Sequence, residues 1–325
     1  MTTATMTAQT VPLISKHTKL VSFENSNSWI KRHDIEGTLL IQATFSENPS
    51  PMAKGDDENP IVVTSSSKRW YGSRASIGNH SRIHGRSKIE TARDSFTACL
   101  RPSDHGKDLI VIASHWDFKN LSDLEPALKG QYSVIKNGES IQCTVVKVLP
   151  ILEGMGSYYG LQPQLEDGSS LLIELGFGTA EEWLIDDRGE VVDGRPVTAL
   201  GVSKLVDTIA NDPTVKAILG ADGSTSINLS MISAGLRSDT CGKITANQWL
   251  PIKRKYVSAW FETIQAYIST QYESQGQNIS NVILSGGGAA LLKAIKPEVS
   301  EYFTIPANPQ ISSVVGAFDR QWARV

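Results

Sequence analysis

The chain has 325 residues, of which 40% are hydrophobic and 20% charged, and its formal net charge at pH 7 is −3. This length is enough for two domains of ordinary size, each with its own core. The composition is typical of a soluble globular protein, and a charge so close to neutral excludes a whole-chain bias toward nucleic acid or membranes.

No segment approaches the ~20 consecutive apolar residues of a membrane helix, and the first residues lack the basic start and apolar core of a signal peptide. We therefore expect a cytoplasmic protein without direct membrane insertion, and we interpret residues 1–16 as a flexible tail. The cysteines Cys99, Cys143 and Cys241 are far apart, odd in number and without metal-ligand spacing, which indicates a reducing compartment and ordinary burial.

The first half of the chain predicts a strand meander followed by helices and further strands. Alternation of apolar and polar residues predicts strands over Lys19–Phe23 and Trp29–Gln42, with a turn at Gly37 in the second. Residues 46–60 are polar and rich in Pro, Gly and acid, which predicts a surface loop. Apolar spacing then predicts a helix over Lys88–Leu100, a buried strand over Asp108–Ser114, a short helix over Leu121–Leu128 and a second meander over Tyr132–Leu149.

The second half repeats the order of a strand meander followed by helices. Its predicted strands are Leu171–Leu175, Glu182–Asp186, Glu190–Val192 and Asn281–Ser285. Its predicted helices are Gly201–Ala210, Trp249–Tyr272 with Pro251 in the first turn, and one that starts at Ala290 after three glycines. Two halves that both begin with a meander suggest a duplicated, mixed α/β architecture.

The first candidate loop is FENSNSWIK, residues 23–31, in which an apolar strand ends at an acid and a short run of small polar residues follows. Small residues let the backbone approach a ligand, and successive amides can form an anion site. Lys31 would supply a point charge for phosphate, and Glu24 could hold a hydrated Mg²⁺. Taken alone, a polar turn with one acid and one lysine is more often structural.

The second candidate loop is ELGFGTAEEW, residues 174–183, and it has the same layout. An apolar strand ends at Glu174, a turn with Gly176 and Gly178 follows, and the chain returns into a strand. Two copies of this pattern, 150 residues apart, indicate an internal repeat.

The third candidate loop is NVILSGGGAALLKAI, residues 281–295. A strand that leads through Gly286, Gly287 and Gly288 into a helix is typical of backbone that approaches a nucleotide at a helix N-terminus. The run does not match G-x-G-x-x-G, so NAD is set aside.

Together and in this order, the three loops resemble the actin-like ATPase superfamily, and within it the bacterial plasmid-segregation actins of the ParM type. The family's first phosphate loop reads roughly D-x-G-x-[GS]-x-x-K, which aligns with ENSNSWIK, and its second reads D-x-G-x-G-T-x-D, which aligns with ELGFGTAE. The adenosine loop is similar to SGGGAALL. Other ParM-like segments are HGRSKIETA, LEPALKGQYSVIKNG, VKVLPILEGMGSYYG and ANPQISSVVGAF.

The resemblance implies an α/β, actin-like ATPase fold of two related domains hinged over a nucleotide cleft. Domain I would span residues 17–165, with a small inserted subdomain at about 45–105, and would be completed by residues 306–325. Domain II would span residues 166–305.

The resemblance also implies that ATP (or GTP) binds with Mg between the phosphate loops. Glu24 and Glu174 would hold the metal through water, and Glu153 in LEGMGSYYG matches the acid that orients the attacking water. The nucleotide-binding residues would be Asn27, Ser28, Lys31, Gly176, Gly178, Thr179, Gly286, Gly287 and Gly288.

The partners implied are further copies of the chain, since head-to-tail contacts that do not close into a ring give a filament. Such a filament would serve DNA or plasmid segregation or a related cytoskeletal role, with an adaptor protein linking it to DNA or other cargo. ATPase activity would then control polymer dynamics.

The sequence departs from the family pattern at four positions. Glu24, Glu174 and Glu181 replace aspartates, and Ser26 replaces a glycine. One extra methylene moves a carboxylate by ~1.5 Å, and Mg²⁺ requires near-ideal octahedral geometry. A non-hydrolysing, degenerate scaffold therefore remains an alternative. A small-molecule kinase of the same superfamily is a weaker alternative, because the sequence contains no recognisable sugar-binding constellation.

Overall fold

The described residues divide into two units, and the first of them is interrupted by the second. Unit I contains the described residues up to Pro163 together with those from Ile311 onward, and unit II contains Gln164–Gln310. The computed structural model describes residues 16–47, 49–76, 81–82, 87–220, 227–272 and 279–324, so nearly all of the predicted N-terminal tail lies outside the described residues.

The mixed α/β class predicted from the sequence is confirmed. The strands of the described residues are β1 (Thr18–Asn25), β2 (Trp29–Asp34), β3 (Gly37–Gln42), β4 (Thr44–Glu47), β5 (Ile61–Val63), β6 (Lys68–Tyr71), β7 (Ser81–Arg82), β8 (Asp108–His115), β9 (Gly130–Lys136), β10 (Glu139–Leu152), β11 (Ser170–Leu175), β12 (Ala180–Ile185), β13 (Val191–Val197) and β14 (Asn281–Ser285). The α-helices are α1 (Lys88–Cys99), α2 (Leu124–Leu128), α3 (Met155–Leu161), α4 (Val202–Ala210), α5 (Pro213–Leu219), α6 (Leu229–Gly235), α7 (Ala246–Gln271), α8 (Gly286–Ile295) and α9 (Ser312–Trp322).

Unit I is built on a ten-stranded sheet in the order β3-β2-β1-β8-β10-β9-β5-β6-β4-β7. Side chains alternate between the two faces of a strand, and β1 is buried on both. Leu20 lies in the same core cluster as Phe318 of α9. Phe23 points the other way and packs edge-on against Phe96 of α1, with ring centroids 5.1 Å apart. The strand that leads into the first loop is therefore held between two helices.

Unit II is built on a four-stranded sheet in the order β13-β12-β11-β14. Alternate residues of β11, namely Leu171, Ile173 and Leu175, lie in the main core together with Trp249 and Trp260 of α7. The second loop therefore also follows a strand that is anchored in a core.

The two sheets share one arrangement of strands around these loops. In unit I, β3, β2 and β1 form an antiparallel meander, and β1 lies parallel to β8. In unit II, β13, β12 and β11 form an antiparallel meander, and β11 lies parallel to β14. The β1–β2 loop and the β11–β12 loop therefore occupy equivalent places in their sheets, as the internal repeat in the sequence predicts.

The predicted starts of two helices in unit II are wrong. α7 begins at Ala246 because Thr245 and Gln248 form a capping box ahead of the predicted start, and Pro251 consequently lies in the second turn. α8 begins at Gly286 instead of Ala290, so the three glycines form its first turn.

Helices α3 and α9 of unit I cross at very close range. A Cβ on Gly156 would lie 1.7 Å from the carbonyl oxygen of Ser313, and a Cβ on Gly316 would lie 2.0 Å from the carbonyl oxygen of Gly156. The hydroxyl oxygens of Ser157 and Ser312 are 2.7 Å apart. The crossing is therefore possible only with residues that lack a side chain at the contact.

A buried charge network stabilises the end of the β1–β2–β3 meander that lies away from the first loop. The Arg32 guanidinium is fully buried and donates to Asp34 at 2.9 Å and to Asp104 at 2.8 Å. Burial opposes ionisation of Asp104, but the hydrogen bonds and charge of Arg32 outweigh it and lower the pKa of Asp104 to about 2. Each buried charge in the network is thus compensated by a partner of opposite sign.

Among the described residues, no helix combines the length and the apolar character that crossing a membrane requires.

Candidate functional site

The first loop of unit I closes without glycine because hydrogen bonds from Ser26 close the turn. The Ser26 amide donates to the Trp29 carbonyl oxygen at 3.0 Å, and the Ser26 hydroxyl donates to the same oxygen at 2.8 Å. Among the described residues, Asn137 is the only non-glycine residue with a positive φ. No residue of this loop therefore requires the left-handed conformation that favours glycine, and Ser26 fits. Asn27 and Ser28 form the half-buried tip.

The loop is tied to the start of α1 by the residue that follows Glu24. The Asn25 side-chain amide donates to the Lys88 carbonyl oxygen at 3.2 Å and to the Thr91 hydroxyl at 2.9 Å. The position of the loop therefore depends on the first turn of α1.

Glu24 and Lys31 face each other across the β1–β2 pair. Their Cα atoms are direct partners in the strand register, and the Lys31 Nζ lies 2.5 Å from the Glu24 Oε1. Both side chains are buried, and neither carboxylate oxygen of Glu24 receives a hydrogen bond. The charge of Glu24 is thus balanced by an ion pair, while its oxygens keep capacity for further ligands.

Glu153 lies at the point where β10 ends, directly after Leu152. Its backbone amide donates to the His115 carbonyl oxygen at 3.1 Å, and its buried carboxylate pairs with the ammonium group of Lys88. A carboxylate oxygen of Glu153 lies within 4.8 Å of one of Glu24. Within unit I, the structure therefore brings together two of the predicted acids and two lysines.

His115 adds a neutral group beside this cluster. Its Nδ1 accepts a hydrogen bond from the Asp117 amide at 3.0 Å, which assigns the proton of the neutral ring to Nε2. Burial lowers the pKa of His115, and the charge of Lys88 lowers it further. The imidazole is therefore neutral at pH 7.

The second loop, in unit II, has the same burial profile as the first. Residues 171–175 are buried, 176–179 half-buried and 180 buried, and residues 21–30 show the same sequence of exposures. Glu174 and Glu181 are Cα partners across β11 and β12, as Glu24 and Lys31 are in unit I. The acid–lysine pair of the first hairpin is therefore an acid–acid pair in the second.

The glycine-rich turn of the second loop is held against the start of α4. The amide of Val202 donates to the Gly176 carbonyl oxygen at 3.1 Å, and a Cβ on Gly176 would lie 2.6 Å from the Thr179 carbonyl oxygen. The Thr179 hydroxyl donates to Glu181 at 2.6 Å. A Cβ on Gly201 would lie 2.5 Å from the Gly178 carbonyl oxygen. Packing alone therefore requires glycine at position 176, whatever the loop binds.

The three glycines of α8 have two different environments. A Cβ on Gly286, where φ is +83°, would lie 2.8 Å from the Leu175 carbonyl oxygen and 3.1 Å from Glu174 Cγ. A Cβ on Gly288 would lie 2.7 Å from Leu175 Cβ. Gly287 has no atom within 4 Å of its Cβ position and is exposed. Gly286 and Gly288 are therefore explained by packing against the end of β11, whereas Gly287 leaves open backbone at a helix N-terminus.

The unit I acids fit a hard divalent cation by their chemistry. Glu24 and Glu153 offer carboxylate oxygens less than 4.8 Å apart, and those of Glu24 receive no hydrogen bond. Mg²⁺ prefers such oxygens and usually retains several waters. Lys31 and Lys88 already balance both charges, so binding through water needs less rearrangement than direct ligation.

Sequence reasoning missed Lys88, Asn25 and His115. Lys88 and Glu153 are 65 residues apart in the chain, so no local pattern connects them. The one signal was that Lys88 lies in a segment, HGRSKIETA, that resembles the ParM type.

Comparisons with known proteins place the chain by its fold. No family model and no curated protein sequence matches it. Solved structures do match. The archaeal actin homologue Ta0583 in complex with ADP has a TM-score of 0.72 at 16% identity, covering 94% of this chain and 99% of the other. The predicted actin-like fold is therefore confirmed.

Two ParM structures show the same likeness. ParM of a 15-stranded filament from Clostridium botulinum has a TM-score of 0.69 at 11% identity, covering 94% of this chain and 99% of the other. Bacillus thuringiensis ParM with ATP has a TM-score of 0.64 at 17% identity, covering 95% and 99%. At these identities the likeness establishes the fold, which ParM and the archaeal actin homologue share with this chain.

Proposed function

We propose that the protein binds ATP or GTP with Mg²⁺ and polymerises head-to-tail into a cytoplasmic filament whose stability depends on the bound nucleotide. The observation that carries this proposal is the pair of equivalent hairpin loops, each of which follows a core strand that places a buried glutamate just before the turn. Small-residue turns of this kind can receive phosphate oxygens on backbone amides.

The proposed roles follow from the position of each residue in its loop. Asn27, Ser28 and Lys31 would contact phosphates from unit I. Gly176, Gly178, Thr179 and the Gly286–Gly288 turn would contact the nucleotide from unit II, and Gly287 has the open backbone for this. Glu24 and Glu174 would hold Mg²⁺ through water.

Hydrolysis would use Glu153 to orient the attacking water. Phosphoryl transfer depends on the placement of the water and on neutralisation of charge more than on a strong base. When bound, Mg²⁺ would supply that neutralisation. The burial of Glu153 and its ion pair with Lys88 would hold the carboxylate in one position.

The relatives support nucleotide binding and self-association. Similar structures include an actin homologue with ADP, a ParM with ATP and a ParM filament. By this analogy the partner is a second copy of the chain, and an adaptor protein would connect the filament to plasmid DNA or to other cytoskeletal cargo.

A second candidate is a static scaffold that binds nucleotide and assembles but does not hydrolyse. Glu24, Glu174 and Glu181 stand where the family pattern has aspartates, and Glu24 already has a lysine partner. Both features would shift the carboxylate oxygens from the positions that aspartates would give them around a bound Mg²⁺.

Light scattering recorded together with phosphate release tests the proposal. The purified chain is mixed with Mg²⁺ and ATP, GTP, a non-hydrolysable analogue or no nucleotide. Scattering that rises with nucleotide and decays as phosphate appears is the expected result, and Glu153→Gln should assemble without releasing phosphate. Stable scattering without phosphate would identify the scaffold, and the absence of both signals would refute nucleotide-dependent assembly.

A further inference from the structure

Glu153 forms an ion pair with a lysine from another part of the chain, Lys88. Glu153 has its backbone fixed by the His115 carbonyl oxygen, and Gly154, with φ at +84°, begins the turn into α3. These contacts fix the main chain of Glu153 but do not by themselves set the direction of its carboxylate. The ion pair with Lys88 is the described contact that directs it.

Lys88 itself is held at its backbone. It is the first residue of α1, and its carbonyl oxygen accepts a hydrogen bond from the Asn25 side chain at 3.2 Å. Only 13% of its side chain is exposed. A lysine that is fixed at its base and mostly buried presents its ammonium group in a restricted range of positions.

The restricted position of the Lys88 ammonium group matters because a second acid, Glu24, lies close to Glu153. A carboxylate oxygen of Glu24 lies within 4.8 Å of one of Glu153, and two ionised carboxylates at this distance repel each other. Lys31 pairs with Glu24, and Lys88 pairs with Glu153. Loss of Lys88 would therefore remove the positive charge that offsets this repulsion at Glu153.

We propose that Lys88 is the positioning residue of Glu153. Because the Lys88 carbonyl oxygen accepts a hydrogen bond from the Asn25 side chain, Lys88 also couples the first phosphate loop to the carboxylate that orients water. The proposal rests on the function proposed above. In this role Lys88 would act through Glu153 and not on the reacting atoms. Since a misplacement of about 1 Å can cost about 100-fold in rate, loss of Lys88 should lower turnover while leaving nucleotide affinity in place.

The test compares Lys88→Met with Lys88→Arg and with the control Lys129→Met. Lys129 pairs with Glu125 at the surface, so its loss removes a lysine of the same unit without touching the site. Lys88→Met should reduce kcat about 10- to 100-fold with KM within about twofold of wild type. Lys88→Arg should retain most of the rate, and Lys129→Met all of it.

Two further measurements separate positioning from a structural role. In a Glu153→Gln background, which is not expected to release phosphate, Lys88→Met should cause no further loss of thermal stability or nucleotide affinity, since the two residues act as one unit. In nucleotide-free protein titrated with Mn²⁺, loss of the Lys88 charge should tighten binding about fivefold or more, because two carboxylates then share one lysine.

The outcomes are distinguishable. The proposal is overturned if Lys88→Met hydrolyses nucleotide at the wild-type rate. It is also overturned if the losses of thermal stability and nucleotide affinity caused by Lys88→Met and Glu153→Gln are additive. If the wild-type protein releases no phosphate, the proposed hydrolysis is refuted, and only the Mn²⁺ titration tests the pairing of Lys88 with Glu153. Tighter Mn²⁺ binding by Lys88→Met would then support Lys88 as the partner of Glu153, and unchanged binding would overturn it.

Discussion

Replacing Gly156 by alanine adds one methyl group at the crossing of α3 and α9. That methyl carbon would lie 1.7 Å from the Ser313 carbonyl oxygen, 2.7 Å from the Ser313 carbonyl carbon and 2.8 Å from the Ala317 amide nitrogen. All three atoms belong to the backbone of α9, so no side-chain rotation relieves the clash. An ordinary contact of 3.4 Å or more would require the helices to separate locally by about 1.7 Å.

The expected cost is large because α9 is packed on its other side. Ala317 and Phe318 lie in the same core as Leu20, so moving α9 away from α3 also disturbs the packing of that core. Overpacking typically costs about 1–3 kcal/mol and occasionally more, and a backbone clash on this scale belongs at the upper end. The helix propensity of alanine returns only ~1 kcal/mol. A net loss of about 2 kcal/mol corresponds to a Tm decrease of roughly 4–8 °C for a unit of this size.

Thermal unfolding followed by circular dichroism measures this loss, and Gly160→Ala is the matched control. Gly160 lies one turn later on the same helix, and a Cβ there would be 3.6 Å from the Gly316 Cα, which is ordinary contact. Its Tm should equal or exceed that of wild type. If Gly156→Ala unfolds at the temperature of wild type or of Gly160→Ala, the close crossing described above is incorrect.

Two further predictions concern the α8 turn and the buried charge network. Gly287→Ala should preserve the Tm but weaken nucleotide binding, whereas Gly288→Ala should lower the Tm because the added methyl group clashes with Leu175. Nucleotide affinity is measured by titration with a fluorescent nucleotide. Unchanged affinity in Gly287→Ala would exclude the α8 N-terminus from the site. Because the folded-state pKa of Asp104 is lowered to about 2, its ion pair with Arg32 stabilises the fold above pH ~4, and this stability, ~2 kcal/mol, is lost as the pH falls toward 2. Asp104→Asn should remove that part of the acid dependence in urea titrations, and an unaltered pH profile would contradict the assignment.

The parts of the fold that could be predicted from the sequence are those encoded by local patterns. Both hairpins follow from an apolar run that ends at an acid, and the turn at Gly37 has the positive φ of +99° that favours glycine. The equivalence of the two loops follows from the same pattern repeated 150 residues apart. Local periodicity and turn chemistry are sufficient for these features.

Helix starts were predicted less well because they depend on contacts outside the periodic segment. The capping box of Thr245 starts α7 three residues before Trp249, the first residue of its apolar stripe, and periodicity alone cannot detect it. In α8, the glycines looked like a loop because of their low helix propensity. Packing of Gly286 and Gly288 against the end of β11 overrides that propensity.

The sequence indicates candidate site residues one by one but not the arrangement of their charges. It points to Glu24, Lys31 and Glu153 as candidates and does not indicate which groups they pair with. Whether Lys31 faces a phosphate or Glu24 depends on the strand register, and the partner of Glu153 comes from a helix far away in the chain. Long-range ion pairs leave no periodic signal in a single sequence.

The discontinuity of unit I has a consequence for synthesis of the chain on the ribosome. Helix α9 follows the whole of Gln164–Gln310 in the chain, yet it covers one face of the sheet that holds β1 and β2. Until α9 emerges, the surface of α3 around Gly156 and the apolar side of β1 have no cover, whereas unit II is continuous and can close first. The strands that carry the first candidate phosphate loop are therefore made before unit II but are covered only after it, so a chain that stops before α9 cannot present a finished first loop.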